Sequence, residues 1–231
     1  MDHPTHQIKA VVFDLDDTLY PEKAYIQSGF RAVSRQIAQL EAHLEGQVVY
    51  ELLCKEFEQG QRQQVFDKVL EHLGLIADDQ MIAELVSLYR CHRPALELDD
   101  SVRKVLDQLT TRYKLGLLTD GYLPAQKLKV ESLALETTFD HIIYTEELGR
   151  QYWKPAPRPY ELITDELGVS HNQCAYIADN PAKDFIAPNQ LGWRTIQLHR
   201  PEAVHTHAET PPNGKPQFTV DNITQIPSKL L

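Results

Sequence analysis

The segment Asp14-Leu15-Asp16-Asp17-Thr18 gathers three carboxylates within four residues, immediately after the apolar run Ile8-Lys9-Ala10-Val11-Val12-Phe13. Like charges this close repel one another wherever water is scarce. A divalent cation relieves the repulsion, and a hard site with few protein carboxylates suits Mg2+ better than a softer metal. Acidic residues also open loops and cap helices, so the cluster gains chemical meaning only if the rest of the chain brings partners to it.

The elements that would do so are legible as alternating patterns. Residues 8–13 form a short β-branched run that breaks off into acids, the pattern of a buried parallel strand feeding a loop, with Asp14 at its carboxyl end. Similar runs cover residues 114–119, 141–144, 174–178 and 195–198, with helical patterns over 101–113, 124–133, 157–167 and 181–191. Strands alternating with helices predict an α/β fold with a doubly wound, mainly parallel sheet. Such sheets bind ligands beyond the carboxyl ends of their strands.

Between residues 21 and 94 no strand-like run occurs. Phe30, Val33, Ile37 and Leu40, then Val65, Val69, Leu70 and Leu73, recur there at helical spacing. The expected organisation is a core of residues 1–20 and 95–231 with a helical cap, residues 21–94, inserted after the acidic cluster. The proline-rich stretch 200–215 reads as an exposed loop, followed by an edge strand at Phe218-Thr219-Val220 and a terminal turn or helix over 223–231.

Composition narrows the partners. The 231 residues are 42% hydrophobic and 24% charged, ordinary values for a globular chain, and carry a formal net charge of -10 with no basic patch. That field repels phosphate backbones, so neither nucleic acid nor an anionic membrane surface is expected as a partner. No apolar stretch approaches the ~18 residues of a membrane span, and the first residues are polar rather than a targeting run. Cys54, Cys91 and Cys174 are widely spaced, odd in number and without a CxxC pair. They read as reduced thiols in a cytoplasmic protein and make a zinc site unexpected.

Asp14-x-Asp16-x-Thr18 after an apolar strand resembles the first signature of the haloacid dehalogenase-like (HAD) superfamily, most of whose members are phosphatases. Three further matches follow in order. Thr119 in Leu117-Leu118-Thr119-Asp120-Gly121 resembles the second signature, and Lys154 in Trp153-Lys154-Pro155-Ala156-Pro157 the third. Asp179 and Asp184, in Ile177-Ala178-Asp179-Asn180-Pro181-Ala182-Lys183-Asp184, resemble the fourth, acidic one. Ala178 stands where many members have Gly, which keeps the position small. Singly, these residues are ordinary strand-end, surface or turn residues; their order and spacing carry the resemblance.

It implies a Rossmann-like core with a helical cap and a Mg2+-dependent phosphoric monoester hydrolase. In that reading Asp14 is the nucleophile and forms an aspartyl-phosphate. Asp16 is general acid and then general base, with its pKa raised by neighbouring charges. Thr119, the adjoining Asp120 and Lys154 bind the phosphoryl group. The metal is held by Asp14, the backbone carbonyl of Asp16, Asp179 and Asp184. A helical cap implies a small phosphorylated metabolite of the sugar phosphate, nucleoside monophosphate or phosphoglycolate class, hydrolysed by a monomer or homodimer.

Three alternatives share the resemblance. A 2-haloacid dehalogenase attacks carbon with the same aspartate, but characteristically lacks the second aspartate of the first signature and the metal. A phosphosugar mutase of the β-phosphoglucomutase type returns the phosphoryl group to sugar. A non-catalytic module keeps the fold and usually loses at least one of the six polar residues Asp14, Asp16, Thr119, Lys154, Asp179 and Asp184, all present here. His3, His6, His205 and His207 read as solvated, and Arg90-Cys91-His92-Arg93-Pro94 as a cationic helix end before proline.

Overall fold

The computed structural model describes residues 7–41, 43–204 and 209–231, so His3, His6, His205 and His207 lie outside the described residues. β1 (Ala10–Phe13) is buried along its whole length, as an unbroken apolar run requires. β2 (Lys114–Thr119), β3 (His141–Tyr144), β4 (Cys174–Ala178), β5 (Arg194–Leu198) and β6 (Phe218–Val220) complete one sheet in the order β3-β2-β1-β4-β5-β6. Every adjacent pair is parallel. Phe13, the last residue of β1, lies opposite Leu117 on one side and Ile177 on the other, so the carboxyl ends of β1, β2 and β4 fall within two residues of one another.

The chain order reverses between β1 and β4, the switch point where a crevice opens beyond the strand ends. The same strand order serves dinucleotide sites elsewhere, with a glycine-rich loop after the first strand. Here that loop is rich in aspartate, so its chemistry and not the topology decides what binds.

The chain divides into a sheet-bearing unit, up to Glu22 and from Leu96 onward, and a helical unit, Lys23–Ala95. Four helices make the helical unit: α1 (Glu22–Leu40, beginning at the boundary), α2 (Gly46–Glu58), α3 (Val65–His72) and α4 (Asp79–Cys91). Its core is aromatic, with Tyr89 packed against Tyr25, Phe30 and Phe66 at ring separations of 5.4, 6.0 and 6.0 Å. Phe30, Val33 and Ile37 are buried as their spacing predicts, whereas Leu40, at the end of α1, is 45% exposed. His92, just past α4, is buried and bonded to Tyr89 O and Ser28 Oγ, an internal role that the cationic-end reading did not include.

The sheet unit adds α5 (Asp100–Thr110), α6 (Ala125–Ser132), α7 (Thr145–Leu148), α8 (Arg158–Leu167), α9 (Ile186–Gln190) and α10 (Ile226–Lys229). The helix expected over 181–191 is shorter than its pattern. The Lys183 and Asp184 amides bond back to Asn180 O, and the Asp184 carboxylate accepts the Asn180 N–H, so residues 181–185 are held as turns. Gly116 in β2 has a packing reason: a Cβ there would lie 2.6 Å from Ile163 of α8. Among the described residues no helix is long and apolar enough to cross a membrane, and all three cysteines are free.

Beneath α8 and β4, Tyr160, Tyr176 and Trp193 are fully buried and meet edge to face, with the Trp193 ring 5.7 Å from Tyr160 and 6.3 Å from Tyr176. The Trp193 indole also donates to His171 Nδ1 at 3.0 Å. Trp193→Ala is expected to cost about 3–5 kcal/mol, the range for emptying a large aromatic site, read as a lowered guanidinium midpoint at unchanged slope.

Candidate active site

Adjacent strand ends bring the acids together. Asp14 directly follows β1 and its N–H donates to Ile177 O at 2.9 Å, tying it to the end of β4, while Asp179 directly follows β4 and Thr119 closes β2. Lys154 arrives from the connection between α7 and α8. Its backbone N–H donates to both Asp120 carboxylate oxygens at 3.2 Å, and Asp120 Oδ1 also accepts from Thr145 Oγ1 at 2.7 Å. Asp120, expected to bind phosphate, thus has its carboxylate turned toward the backbone of Lys154, where it fixes that loop. Gly121 follows at φ 141°, a conformation unfavourable for other residues.

The Lys154 ammonium, with a side chain 0% exposed, lies 2.6 Å from Asp14 Oδ1, 2.8 Å from Asp184 Oδ1 and 3.2 Å from the Tyr176 hydroxyl. Burial alone would lower its pKa, but the charges of Asp14 and Asp184 outweigh burial and hold it well above the usual lysine range. The lysine is therefore a permanent cation.

Asp14, Asp179 and Asp184 each offer a carboxylate oxygen, and these oxygens lie within 4.8 Å of one another. Burial, with the charge of Asp184 added, pushes Asp14 up to about 6. Burial and the charges of Asp184 and Asp14 push Asp179 up to about 9. Asp184 Oδ1 is fully buried and lies outside hydrogen-bonding angles to any donor, although it is close to Lys154. Two of these three acids are buried, and Lys154 contacts only Asp14 and Asp184 among them. The donor set of hard oxygens fits a divalent cation.

Asp16 departs from expectation. Burial would raise its pKa, but the charge of Lys129 and hydrogen bonds from Lys129, Tyr20 and Gln126 outweigh burial and set it below the usual carboxylate range. The expected upward shift assumed that only acids lay nearby. Sequence gave no sign that α6, more than a hundred residues later, would deliver a cation to Asp16.

A cavity of about 80 Å3 is lined by Asp14, Asp16, Asp120 and Asp179, and bordered also by Asp17, Glu22, Asn180 and Lys183. It has room for a phosphoryl group and a cation but is well below the ~300 Å3 of a pocket enclosing a whole drug-sized ligand. Asp17, at φ 55°, pins the loop: its oxygens accept from Glu22 N at 2.8 Å and Val204 N at 2.7 Å. Burial and the charge of Asp16 push Glu22 up to about 7. Lys183 lies 3.5 Å from Asp120 Oδ2 and contributes a second cation at the rim. Of these, Lys183 could have been suspected from its position between Asp179 and Asp184; Glu22, Lys129 and Gln126 carry no local signal.

The family model for haloacid dehalogenase-like hydrolases matches residues 8–192. The chain belongs to the haloacid dehalogenase-like hydrolases. Among curated relatives, the hydrolase is 28% identical to the glyceraldehyde 3-phosphate phosphatase of Methanopyrus kandleri, over 84% of both chains. It is 26% identical to the (S)-2-haloacid dehalogenase of Pseudomonas sp. strain YL, over 84% of this chain and 83% of that one. Among solved structures, the magnesium-bound HAD-hydrolase YfnB of Bacillus subtilis aligns over 97% of this chain and 99% of its own, at 17% identity and a TM-score of 0.71. That structural likeness concerns the fold.

The raised acids set a sign for pH. Asp14, Asp179 and Glu22 bind protons more tightly folded than unfolded, so the stability they contribute is full below about pH 4 and lost as pH rises toward about 9. Asp16 acts oppositely, but only below the ordinary carboxylate range. In chelator, Tm is expected to fall steadily from pH 5 to pH 9; with millimolar Mg2+ the slope should flatten and Tm rise, since a cation that binds only the folded state stabilises it.

Proposed function

We propose that this hydrolase is a Mg2+-dependent phosphatase of small phosphorylated metabolites that works through a phosphorylated Asp14. The observation that carries the reading is the Asp14 carboxylate held 2.6 Å from the buried Lys154 cation and inside a cluster of three acid side chains. An isolated carboxylate and a phosphate dianion repel; the same pair flanked by cations can react.

In the first half-reaction an Asp14 oxygen attacks phosphorus as the ester P–O bond breaks, and the leaving oxygen takes a proton from Asp16. In the second, Asp16 takes a proton from water, the resulting hydroxide attacks phosphorus, and the Asp14–phosphorus bond breaks to regenerate the carboxylate. The first step needs Asp16 protonated and the second needs its carboxylate, and Lys129 favours the second of these forms. Thr119 and Lys154 bind phosphoryl oxygens, and Lys183 at the rim adds a further cation. A bound Mg2+, held by Asp14, Asp179 and the Asp16 carbonyl with Asp184 directly or through water, would neutralise the incoming dianion.

A cavity of about 80 Å3 accommodates the phosphoryl group and leaves the rest of the metabolite outside it, so it does not distinguish sugar phosphate, nucleoside monophosphate and phosphoglycolate. The glyceraldehyde 3-phosphate phosphatase relative supports the first of these. Asp16 and Asp179 support attack on phosphorus rather than carbon, against the dehalogenase alternative. Free, separated cysteines support a cytoplasmic location.

With Mg2+ the enzyme is expected to hydrolyse p-nitrophenyl phosphate, to stop in EDTA and to recover when Mg2+ is restored. Asp14→Asn should lower kcat at least about 1,000-fold, as loss of a covalent nucleophile does. Turnover of 2-chloropropionate that ignores the chelator would overturn the assignment. Asp16→Asn should lower kcat about 100-fold or more with Mg2+ affinity close to wild type, whereas Asp179→Asn should lose the ion; equal loss of the ion in both, by calorimetry, would contradict the division of roles.

A further inference from the structure

Wholly within the helical unit, and built from none of the acids described above, a cavity of about 360 Å3 is lined by Arg31, Arg35 and Arg93. Gln27, Arg31 and Arg35 recur at every fourth position of α1 and so share one of its faces. Tyr25, Phe30, Val33 and Ile37 are buried on another. Arg93 comes from the segment after α4, which Ser28 holds against α1: the Ser28 hydroxyl oxygen accepts the Ala95 N–H at 3.2 Å and lies 3.1 Å from His92 Nε2. The Arg31 guanidinium lies over the Tyr50 ring of α2, 4.8 Å from its centre, a contact that steadies the charge without neutralising it.

No acid lines this cavity, and among the described residues none of its three arginines is ion-paired with a carboxylate, whereas Arg150 and Arg158 of the sheet unit each have a glutamate partner. Arg31 and Arg35 stand four positions apart on a helix, where like charges repel. The chain has 33 acidic residues against 23 lysines and arginines, so composition does not explain three arginines left together without a partner. An anion would answer them, and a guanidinium fork pairs with phosphate oxygens two at a time. Size and spacing set how many phosphoryl groups fit. A cavity of about 360 Å3 lies in the ~300–1,000 Å3 range of pockets that enclose a small organic ligand, far more than one phosphate fills. Arg31 and Arg35, one helical turn apart, are spaced to grasp adjoining phosphoryl groups. Ala24 and Ala95 leave part of the wall apolar, where carbon can lie. The concave shape suits a small molecule, and the net charge of -10 repels a nucleic-acid backbone.

We propose that Arg31, Arg35 and Arg93 form a second anion site, in the helical unit, for a small organic molecule that carries a diphosphate group. The site shares no residue with the acid cluster and, supplying its own positive charge, needs no metal ion. The inference goes beyond the phosphatase reading and stands whether or not Asp14 is phosphorylated.

The test is calorimetric titration of the full chain with inorganic pyrophosphate, in buffer freed of divalent cations on a chelating resin, with inorganic phosphate as the single-group comparison. Pyrophosphate is expected to bind at one site and at least about 10-fold more tightly than phosphate, because its second phosphoryl group adds charge-assisted hydrogen bonds. Arg35→Gln and Arg93→Gln should each weaken pyrophosphate about 10- to 100-fold, as loss of a hydrogen bond between charged groups does. Both side chains are exposed, so neither variant disturbs the aromatic core of the helical unit. Arg103→Gln removes an equal charge from an exposed position on α5 and should change the affinity less than about 2-fold, since salt screens distant charges. No binding heat at millimolar pyrophosphate, equal affinities for pyrophosphate and phosphate, or an equal weakening by Arg103→Gln overturns the proposal. Pyrophosphate binding that Arg35→Gln and Arg93→Gln leave intact overturns it as well, because the ligand then sits elsewhere on the chain.

Discussion

Mutual repulsion among buried carboxylates governs this molecule. Asp14, Asp179 and Asp184 offer oxygens within 4.8 Å of one another, and the buried ammonium of Lys154 answers two of them directly. Burial first, and then the charges of the neighbouring acids, hold Asp14 and Asp179 above the ordinary aspartate range. The donor set of hard oxygens fits a divalent cation, whose charge would relieve that repulsion.

The remainder of the sheet unit serves to keep those charges from moving apart. Parallel pairing in register sets the ends of β1, β2 and β4 side by side, so Asp14, Thr119 and Asp179 are placed by backbone hydrogen bonds rather than by flexible side chains. Two further aspartates do structural work in the surrounding loops. Asp120 grips the Lys154 amide, and Asp17 holds the turn after β1 through Glu22 and Val204. The hydroxyls of Tyr160 and Tyr176 extend this support inward from the aromatic core, one to the Asp184 carbonyl and one in reach of Lys154. Stability and catalysis therefore share residues in the sheet unit.

The sequence by itself determined the class of fold and most of the site. Three of the strands read from short apolar runs, residues 114–119, 141–144 and 174–178, have the observed limits, because each run breaks off where the strand leaves the sheet. Asp14, Thr119 and Asp179 were legible because each sits at or directly after the end of a strand, where local sequence fixes position. Asp184 and Lys183 belong to turns and not to the helix that the pattern over 181–191 suggested, since a side-chain bond from Asp184 to the Asn180 amide competed locally with helix formation.

What only the tertiary structure decided was the electrostatic state of those residues. Asp16 was expected to be a carboxylate with raised pKa among like charges; α6 brings Lys129 and Gln126 against it from 110 or more positions away and reverses the sign. Glu22 joined the site, and Asp120 both lines the cavity and accepts from the Lys154 backbone, for the same reason. Sequence spacing fixes where a side chain leaves the backbone, but a pKa is set by the sum of charges and donors within a few ångströms, and those neighbours are chosen by the way distant elements pack.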